Sequence, residues 1–431
     1  MRCFLPKDAS SQTHAIAASM APVSKLPLYM DHHATTPVDA RVLEAMLPHF
    51  GPEFGNASSR SHAYGWRADE AVERARIQVA ELVGAAIPGK EIVFTSGATE
   101  SDNLAIKGVM RQGMAEGRGD HLITVRTEHK AVIDSARRME REGARVTWLD
   151  VDEAGLLDLD ELRSALTDKT LLVSVMLANN ETGCVQPIRA IGEIVRGHGA
   201  LLHCDATQGL GRLPFAVDVD GVDLASFTAH KIYGPKEVGA LYVHRSGAKR
   251  VRLMADLDGG GQERGMRSGT LNVPGIVGFG AACGLMSLEG MAEAKAVAAL
   301  RADLYSRLVE GLGEVWLNGP SFDQRLAGNL NVSFPYIDGE SLILALQQRV
   351  AVSSGAACTS SSMEPSYVLR AMGLSKERAD GSVRFGLGRG HTKEDVDAVA
   401  TYTVEQVKRL RELSEEWRMK QRGEDPASID W

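Results

Sequence analysis

The chain has 431 residues, of which 44% are hydrophobic and 24% are charged, and its formal net charge is −8. This length suits one large domain with a smaller one attached, and the composition is ordinary for a globular protein. The negative charge argues against non-specific nucleic-acid binding, which needs an excess of lysine and arginine. Five cysteines without CxxC spacing favour a reducing compartment over a disulfide framework or a zinc site, so we expect a cytoplasmic protein.

The first 24 residues are rich in serine and alanine and lack the apolar core of a secretory signal. We interpret residues 1–25 as a disordered extension. A short strand at residues 28–30 then leads into a polar segment with two adjacent histidines, His32 and His33. Metal binding by the pair is one interpretation, but adjacent side chains point in different directions, so we favour a loop that lines a site. No apolar run reaches the length of a membrane span, and we expect no membrane partner.

Strands and helices then alternate along the chain. Small apolar residues recur at helical spacing between residues 68 and 83, and Gly84 is placed to end that helix. The predicted strands are residues 92–95, 122–125, 146–149, 171–177, 201–203, 224–227 and 240–243. The predicted helices between them are residues 101–114, 131–142, 159–166 and 188–196. This order predicts an α/β fold, with a mostly parallel sheet covered on both faces and ligands bound at the carboxyl ends of its strands.

The pattern changes after about residue 280 to that of a smaller α+β domain. The predicted elements are helices at about 292–312, 341–348 and 395–413, strands at 350–353 and 383–386, and a half-exposed strand around 330–334. We therefore predict a large domain at residues 41–285 and a small domain formed by residues 26–40 and 286–431.

Lys231 ends a predicted buried strand and is followed by a tight Gly234-Pro235 turn, which would hold it at a fixed place. A lysine there is costly unless it is paired or used covalently. Asp205 ends a neighbouring predicted strand. A fixed lysine and a nearby aspartate suit pyridoxal phosphate, because the lysine forms the Schiff base and the aspartate keeps the pyridinium nitrogen protonated. The alternative is an ordinary lysine beside a surface turn.

Polar groups follow five of the predicted strands, all at one edge of the sheet. Ala98 and Thr99 begin a helix where backbone N–H groups and a hydroxyl can close on a phosphate. His129 is suited to stack on a cofactor ring and to move protons. The remaining candidates are Asn180, Gln208, Thr228 and His230. Each one alone also has a structural explanation, such as a helix cap or a turn, but their occurrence together favours a cofactor site.

Two further residues bear on the reaction. Cys358 lies in a small, polar segment, and an exposed thiol on such a loop is the kind that reacts. Arg384 interrupts an apolar predicted strand, and a buried arginine needs a carboxylate. That carboxylate belongs either to a substrate or to an internal ion pair, and both interpretations stay open.

Eight motifs together resemble those of cysteine desulfurases of the iron–sulfur-cluster-assembly type, which are class V aminotransferase-like pyridoxal-phosphate enzymes. The motifs are ATTP (34–37), TSGATES (95–101), TEHK (127–130), NNE (179–181), DATQ (205–208), HKIYGPK (230–236), RGMRSGT (264–270) and EPSYVLR (364–370). The resemblance runs from about Leu26 to Trp431. It implies fold type I and the conversion of L-cysteine to L-alanine, with sulfur delivered to iron–sulfur cluster assembly and to tRNA thiolation.

The resemblance also implies a role for each site residue. Lys231 is the Schiff-base lysine, Asp205 the pyridinium partner, and His129 the stacking acid–base. The other implied cofactor contacts are Ala98, Thr99, Asn180, Gln208, Thr228 and His230, together with Thr270 from the second subunit of a homodimer. Arg384 and Asn180 are implied to bind the substrate.

Cys358 is implied to be the nucleophile that accepts sulfur as a persulfide. No stable metal is implied, and Cys358 is expected at most as a transient iron–sulfur ligand. The tail from Leu413 to Trp431 resembles the segment on which this family docks its iron–sulfur scaffold protein. Three positions depart from the family pattern, at Ala229, Glu237 and Ala356, and none of them removes a catalytic group.

Three other functions fit parts of this pattern. A lyase acting on selenocysteine or cysteine sulfinate would need less help from a protein thiol and would tolerate loss of Cys358. A simple aminotransferase would not need Cys358 and would require an oxo-acid acceptor. A non-catalytic binding protein of the same fold would not need to keep Lys231, Asp205, His129 and Cys358 together.

Overall fold

The structure is a computed structural model in which residues 26–247, 250–355 and 366–425 are described. The predictions for residues 1–25, for Ala356 and Cys358, and for the end of the tail lie outside the described residues.

A seven-stranded sheet forms the centre of the larger part. After a two-residue strand β1 (Leu28–Tyr29), its strands β2 to β8 are Ile92–Thr95, His121–Val125, Arg145–Leu149, Thr170–Ser174, Leu201–Asp205, Leu224–Thr228 and Gly239–Val243. Their spatial order is β2-β8-β7-β6-β5-β3-β4. The strand β8 runs antiparallel to both of its neighbours, and the other adjacent pairs are parallel. The prediction of a mostly parallel sheet is therefore confirmed.

Helices cover both faces of this sheet. The helices α1 to α8 are Ala40–Met46, Ala63–Val83, Pro88–Glu91, Ala98–Ala115, Lys130–Arg141, Leu159–Ala165, Ile188–His198 and Val273–Leu312. Successive side chains of a strand point to opposite faces. In β2, Phe94 accordingly joins the core that contains Val79 and Phe279, whereas Val93 joins the core that contains Leu104.

The helix α8 starts earlier than the sequence predicts. It begins at Val273, whereas the sequence places its start near residue 292. The sequence prediction misses the first turns because they are rich in glycine, which is a poor helix former. Packing accounts for these glycines. A β-carbon on Gly280 would lie 2.6 Å from the Cα of Ala75 in α2, so glycine permits the close approach of the two helices. By length and composition α8 also meets the test for a membrane span, but half of the tested window is buried inside the protein, as in a core helix.

The smaller part has its own core, into which the second half of α8 inserts Leu304 and Leu308. Its strands β9 to β12 are Trp316–Leu317, Asn329–Ser333, Val350–Ala351 and Ser382–Gly386, and its helices α9 to α13 are Gly339–Leu346, Tyr367–Ala371, Lys376–Asp380, Lys393–Leu413 and Glu415–Gln421. The strands β12, β10 and β9, in this spatial order, form an antiparallel sheet, and β1 pairs in parallel with β11. The domain boundaries stay a prediction.

The prediction that β10 is half-exposed is wrong. Its polar residues Asn329, Asn331 and Ser333 are as fully buried as the apolar residues between them. The side-chain amides of Asn329 and Asn331 donate to the backbone carbonyl of Glu181, at 3.0 and 3.1 Å. Buried amides are stable when they are hydrogen-bonded, so the polar face of this strand joins the two parts of the chain.

Candidate active site

A cavity of about 410 Å³ opens at the carboxyl ends of the sheet strands. Ten of the predicted site residues line it: Ala98, Thr99, His129, Asn180, Asp205, Gln208, Thr228, His230, Lys231 and Arg384. Gly355, the last described residue before Cys358, also lines the cavity. The parallel sheet explains the convergence, because the loops that follow its strands all meet at one edge.

Lys231 lies in a short 3₁₀ turn, 229–231, directly after β7. Its Nζ donates to the backbone carbonyls of His33 and, at 2.7 Å, of Ala34. The turn is held by the backbone N–H of Gly234, which donates to the carbonyl of Ala229 at 3.0 Å. A β-carbon on Gly234 would lie 2.8 Å from that of Ala229, so glycine is needed at this tight turn. The turn therefore holds the amine inside the cavity.

Asp205 ends β6 and accepts a hydrogen bond from the backbone N–H of Thr207 at 3.0 Å. Two further carboxyls, Asp102 and Glu128, are completely buried behind it. Burial raises the pKa of both well above the ordinary range, and the neighbouring charge of Asp205 adds to the effect. His203 Nε2 lies 3.6 Å from Asp102 Oδ1, and burial lowers the pKa of that imidazole to about 4. Of these three carboxyls, Asp205 is the one that lines the cavity.

The N-terminus of α4 forms one end of the cavity. Gly97 stands at its N-cap, where it supplies no side-chain acceptor, so the first N–H groups of the helix depend on other acceptors. A β-carbon on Gly97 would lie 3.6 Å from the hydroxyl of Thr228. His230 Nδ1 lies 3.2 Å from the hydroxyl of Thr35, and burial lowers the pKa of His230 to about 4.

These residues fit pyridoxal phosphate. The uncapped helix N-terminus and the Thr228 hydroxyl suit a phosphate, the amine of Lys231 suits the aldehyde, and the carboxylate of Asp205 suits the ring nitrogen. The hydroxyl of Thr207 is buried at the cavity and has no hydrogen-bond partner among the described residues. A buried hydroxyl without a partner is costly, which further favours a polar ligand here.

Arg384 is buried in β12 and lines the same cavity. Its guanidinium pairs with Asp31 at 2.6 Å and donates to the carbonyl of Asn180 at 2.7 Å and to the hydroxyl of Ser353 at 2.9 Å. Its Nε is buried without a partner in the part of the chain that is described. The internal ion pair, one of the two interpretations left open by the sequence, therefore exists between Arg384 and Asp31. Arg384 also lines the cavity, so the pair does not exclude contact with a substrate.

His129 is the N-cap of α5, and its Nδ1 accepts from the backbone N–H of Ala131 at 3.2 Å. This contact fixes the orientation of the ring at the cavity and requires a lone pair on Nδ1. Thr270 is exposed and does not line the cavity of its own chain. Cys358 lies outside the described residues.

The class V aminotransferase family matches residues 28–399 of the chain. The chain is 60% identical over 407 residues to the cysteine desulfurase IscS of Anaeromyxobacter sp. strain Fw109-5, which covers 94% of this chain and 99% of that protein. The chain belongs to the IscS-type cysteine desulfurase family. The family resemblance read from the eight motifs is thus confirmed, and the cofactor of this cysteine desulfurase is pyridoxal phosphate, as predicted.

Two solved structures resemble this cysteine desulfurase closely. One is titled a NifS-like protein and has a TM-score of 0.82 and 37% sequence identity, covering 89% of this chain and 100% of that one. The other is titled SspA in complex with cysteine and has a TM-score of 0.73 and 35% identity, covering 84% and 99%. The predicted fold class is therefore confirmed, whereas the individual residue roles stay predictions.

The loop with two adjacent histidines was expected to line a site, and His33 does line the cavity, whereas the ring of His32 packs against Tyr29 and His391. Thr207 and Lys236 also line the cavity, and sequence reasoning did not single them out. Among the described residues no group of three or more His, Cys, Asp or Glu side chains is arranged to hold a metal. Glu237 has a left-handed φ of 58°, which explains why the family pattern has glycine at that position.

Proposed function

We propose that this cysteine desulfurase converts L-cysteine to L-alanine and passes the sulfur, through a persulfide on Cys358, to acceptors for iron–sulfur cluster assembly. The observation that carries the proposal is the convergence of Lys231, Asp205 and His129 on one cavity, with Gly355 at its wall. When bound, pyridoxal phosphate supplies the electron sink for the reaction. The protein must then bind the substrate, move its protons and accept its sulfur.

Lys231 Nζ is proposed to take the proton from the substrate α-carbon. Its place beside the carbonyls of His33 and Ala34 keeps the amine within the cavity. His129 Nδ1 is proposed to take the proton of the Cys358 thiol, because it is the ring nitrogen with the lone pair and the ring lies at the cavity; that proton then replaces the contact from the Ala131 N–H. The Cys358 thiolate then attacks the substrate sulfur. The carbon–sulfur bond breaks, a sulfur–sulfur bond forms, and the released carbon takes up a proton to give alanine.

The proposed reaction is tested by giving the purified holoenzyme L-cysteine and dithiothreitol. We expect alanine and sulfide in equal amounts, because the reductant releases the persulfide sulfur. Alanine formation from cysteine sulfinate or selenocysteine alone, with none from L-cysteine, would contradict the proposal and favour the lyase.

Arg384 is proposed to bind the substrate carboxylate. Replacing Arg384 with alanine is expected to lower kcat/KM for L-cysteine about a hundredfold, mainly through KM, because a charge-assisted hydrogen-bonded pair contributes roughly this much. Steady-state kinetics measures the change. The matched control is Asp31→Asn, which breaks the 2.6 Å internal ion pair but leaves the guanidinium in place.

The outcome for the two variants separates the two roles of Arg384. A substrate-binding role predicts that KM rises in Arg384→Ala and stays within about threefold of the wild-type value in Asp31→Asn. A purely internal ion pair predicts that the two variants lose thermal stability together and leave KM unchanged.

The protein is also proposed to be a homodimer. Large apolar side chains are exposed on α1, α2 and the segment that joins them: Leu43, Leu47, Phe50, Phe54 and Trp66. Phe54 and Trp66 are 68% and 59% exposed in the single chain, and several large exposed apolar side chains in one stretch of chain favour burial by a partner. Thr270, exposed and outside its own cavity, is proposed to reach the phosphate site of the second subunit.

The scaffold protein for iron–sulfur clusters is proposed to dock on the tail that begins at Leu413. Leu413 is exposed, and α13 follows it with Trp417 packed near Tyr336, their ring centroids 5.6 Å apart. A cytoplasmic location is proposed from the cysteine pattern of the sequence.

A further inference from the structure

Gln208 is held by two groups of one residue, His33. Gln208 Nε2 donates to the backbone carbonyl of His33 at 3.1 Å, and Gln208 Oε1 lies 3.0 Å from His33 Nδ1. Both residues are buried, and both line the active-site cavity. The same His33 carbonyl also accepts from Lys231 Nζ, so His33 connects Gln208 to the lysine.

The chemistry of these groups leaves one arrangement. A backbone carbonyl can only accept, so it must face the amide nitrogen of Gln208, which places Oε1 toward the His33 ring. Because Oε1 can also only accept, His33 Nδ1 must carry a proton. The remaining ring nitrogen, Nε2, then bears a lone pair if the imidazole is neutral.

The surroundings of His33 keep it neutral. The ring is completely buried, and burial together with the charges of Arg384, Arg212 and Lys231 lowers its pKa well below the ordinary value. Its Nε2 has no hydrogen-bond partner among the described residues, and His33 and Arg212 both line a second, small cavity of about 10 Å³. The positive charge of the nearby Arg212 disfavours a second proton on the ring.

The locked amide has one N–H left for a ligand. Its oxygen is engaged by His33 Nδ1 and one of its two N–H groups by the His33 carbonyl. We propose that His33 is a positioning residue, which turns Gln208 so that it can act only as a donor toward an oxygen of the cofactor ring. This inference rests on the proposed ring contact of Gln208.

The remaining Gln208 N–H, held toward a negatively charged ring oxygen, stabilises that charge. The stabilised oxygen then attracts a neighbouring proton less strongly, which lowers the pKa of the neighbouring proton-binding group of the bound cofactor. Without the Nδ1–H of His33, the Gln208 amide keeps only its contact with the His33 backbone carbonyl, so its remaining N–H is aimed less firmly at the ring oxygen. The expected consequence of removing His33 is therefore a higher midpoint when the visible absorbance of the holoenzyme is titrated with pH.

The experiment measures this absorbance titration, and the affinity of the apoprotein for pyridoxal phosphate, in a set of variants. We expect His33→Ala and Gln208→Ala each to raise the midpoint by about 0.5 to 1 pH unit and to weaken cofactor binding about threefold to tenfold. The double variant should equal Gln208→Ala alone, since both substitutions act through one amide. His33→Asn, which can place an N–H near the position of Nδ1, should restore the wild-type midpoint.

Two further variants keep the test decisive. His32→Ala removes the adjacent buried ring, which contacts Gly386 rather than Gln208, and should lower thermal stability without moving the midpoint. His33→Leu keeps bulk at the site and removes the N–H, so it replaces His33→Ala if that variant does not fold.

The inference is overturned if Gln208→Ala moves the midpoint and a folded His33→Ala or His33→Leu does not. It is also overturned if neither substitution moves the midpoint, in which case continued alanine formation from L-cysteine leaves the proposed function standing. A wild-type protein that binds cofactor but forms no alanine contradicts the proposed function itself, whatever the midpoints.

Discussion

Replacing Lys231 with alanine is expected to lower the rate of alanine formation from L-cysteine by at least about a thousandfold. The substitution removes the amine that is proposed both to bond to the cofactor and to take the α-proton. The two carbonyls that hold Nζ belong to the loop at His33 and Ala34, so the wild-type amine is already positioned before substrate arrives. Single-turnover measurement of alanine, with the bound cofactor quantified by absorbance, gives the result.

The matched control is Lys236→Ala, which removes a second lysine from the wall of the same cavity. It should slow alanine formation less than tenfold, because it changes local charge without removing the reacting amine. Equal losses in the two variants would mean that Lys231 contributes only positive charge, and the covalent role would be wrong.

Asp205→Asn is expected to lower kcat about a thousandfold, which corresponds to about 4 kcal/mol in the free energy of activation. Asp205 is proposed to keep the ring nitrogen of the cofactor protonated; an amide carries no charge and could not do so, and the electron sink would weaken. The measurement is kcat at saturating L-cysteine, with cofactor content determined separately.

The control for this substitution is Asp102→Asn. Asp102 is completely buried near Asp205, and burial together with the charge of Asp205 raises the pKa of Asp102 well above the ordinary range, which favours its neutral form. An amide resembles a neutral carboxyl in size and charge, so kcat should change by less than about threefold. A large loss in Asp102→Asn with a small one in Asp205→Asn would reverse our assignment of the charged carboxylate.

The sheet and the edge that carries the site could be predicted from the sequence because both depend on local patterns. Short apolar runs alternate with helical periodicity, and polar residues follow the runs. The predicted bounds of β2 match the structure, Asp205 ends β6, and Lys231 lies in the turn directly after β7, so both residues stand at strand ends as predicted.

The features that the sequence did not reveal depend on contacts between distant segments. The helix α8 begins at Val273 despite its glycines because it packs closely on α2. The pairing of Arg384 with Asp31 joins residues from opposite ends of the chain, and the buried amides of β10 meet Glu181 in the larger part. Local propensity contains no information on such partners.

The measurement that tests the central claim most directly is alanine and sulfide formation from L-cysteine by the wild type and by Cys358→Ser, with dithiothreitol present. We predict that the wild type forms both products, and that the variant retains its yellow bound cofactor but forms neither. Equal activity of the two proteins would contradict the claim that Cys358 accepts the sulfur, and the lyase interpretation would replace it.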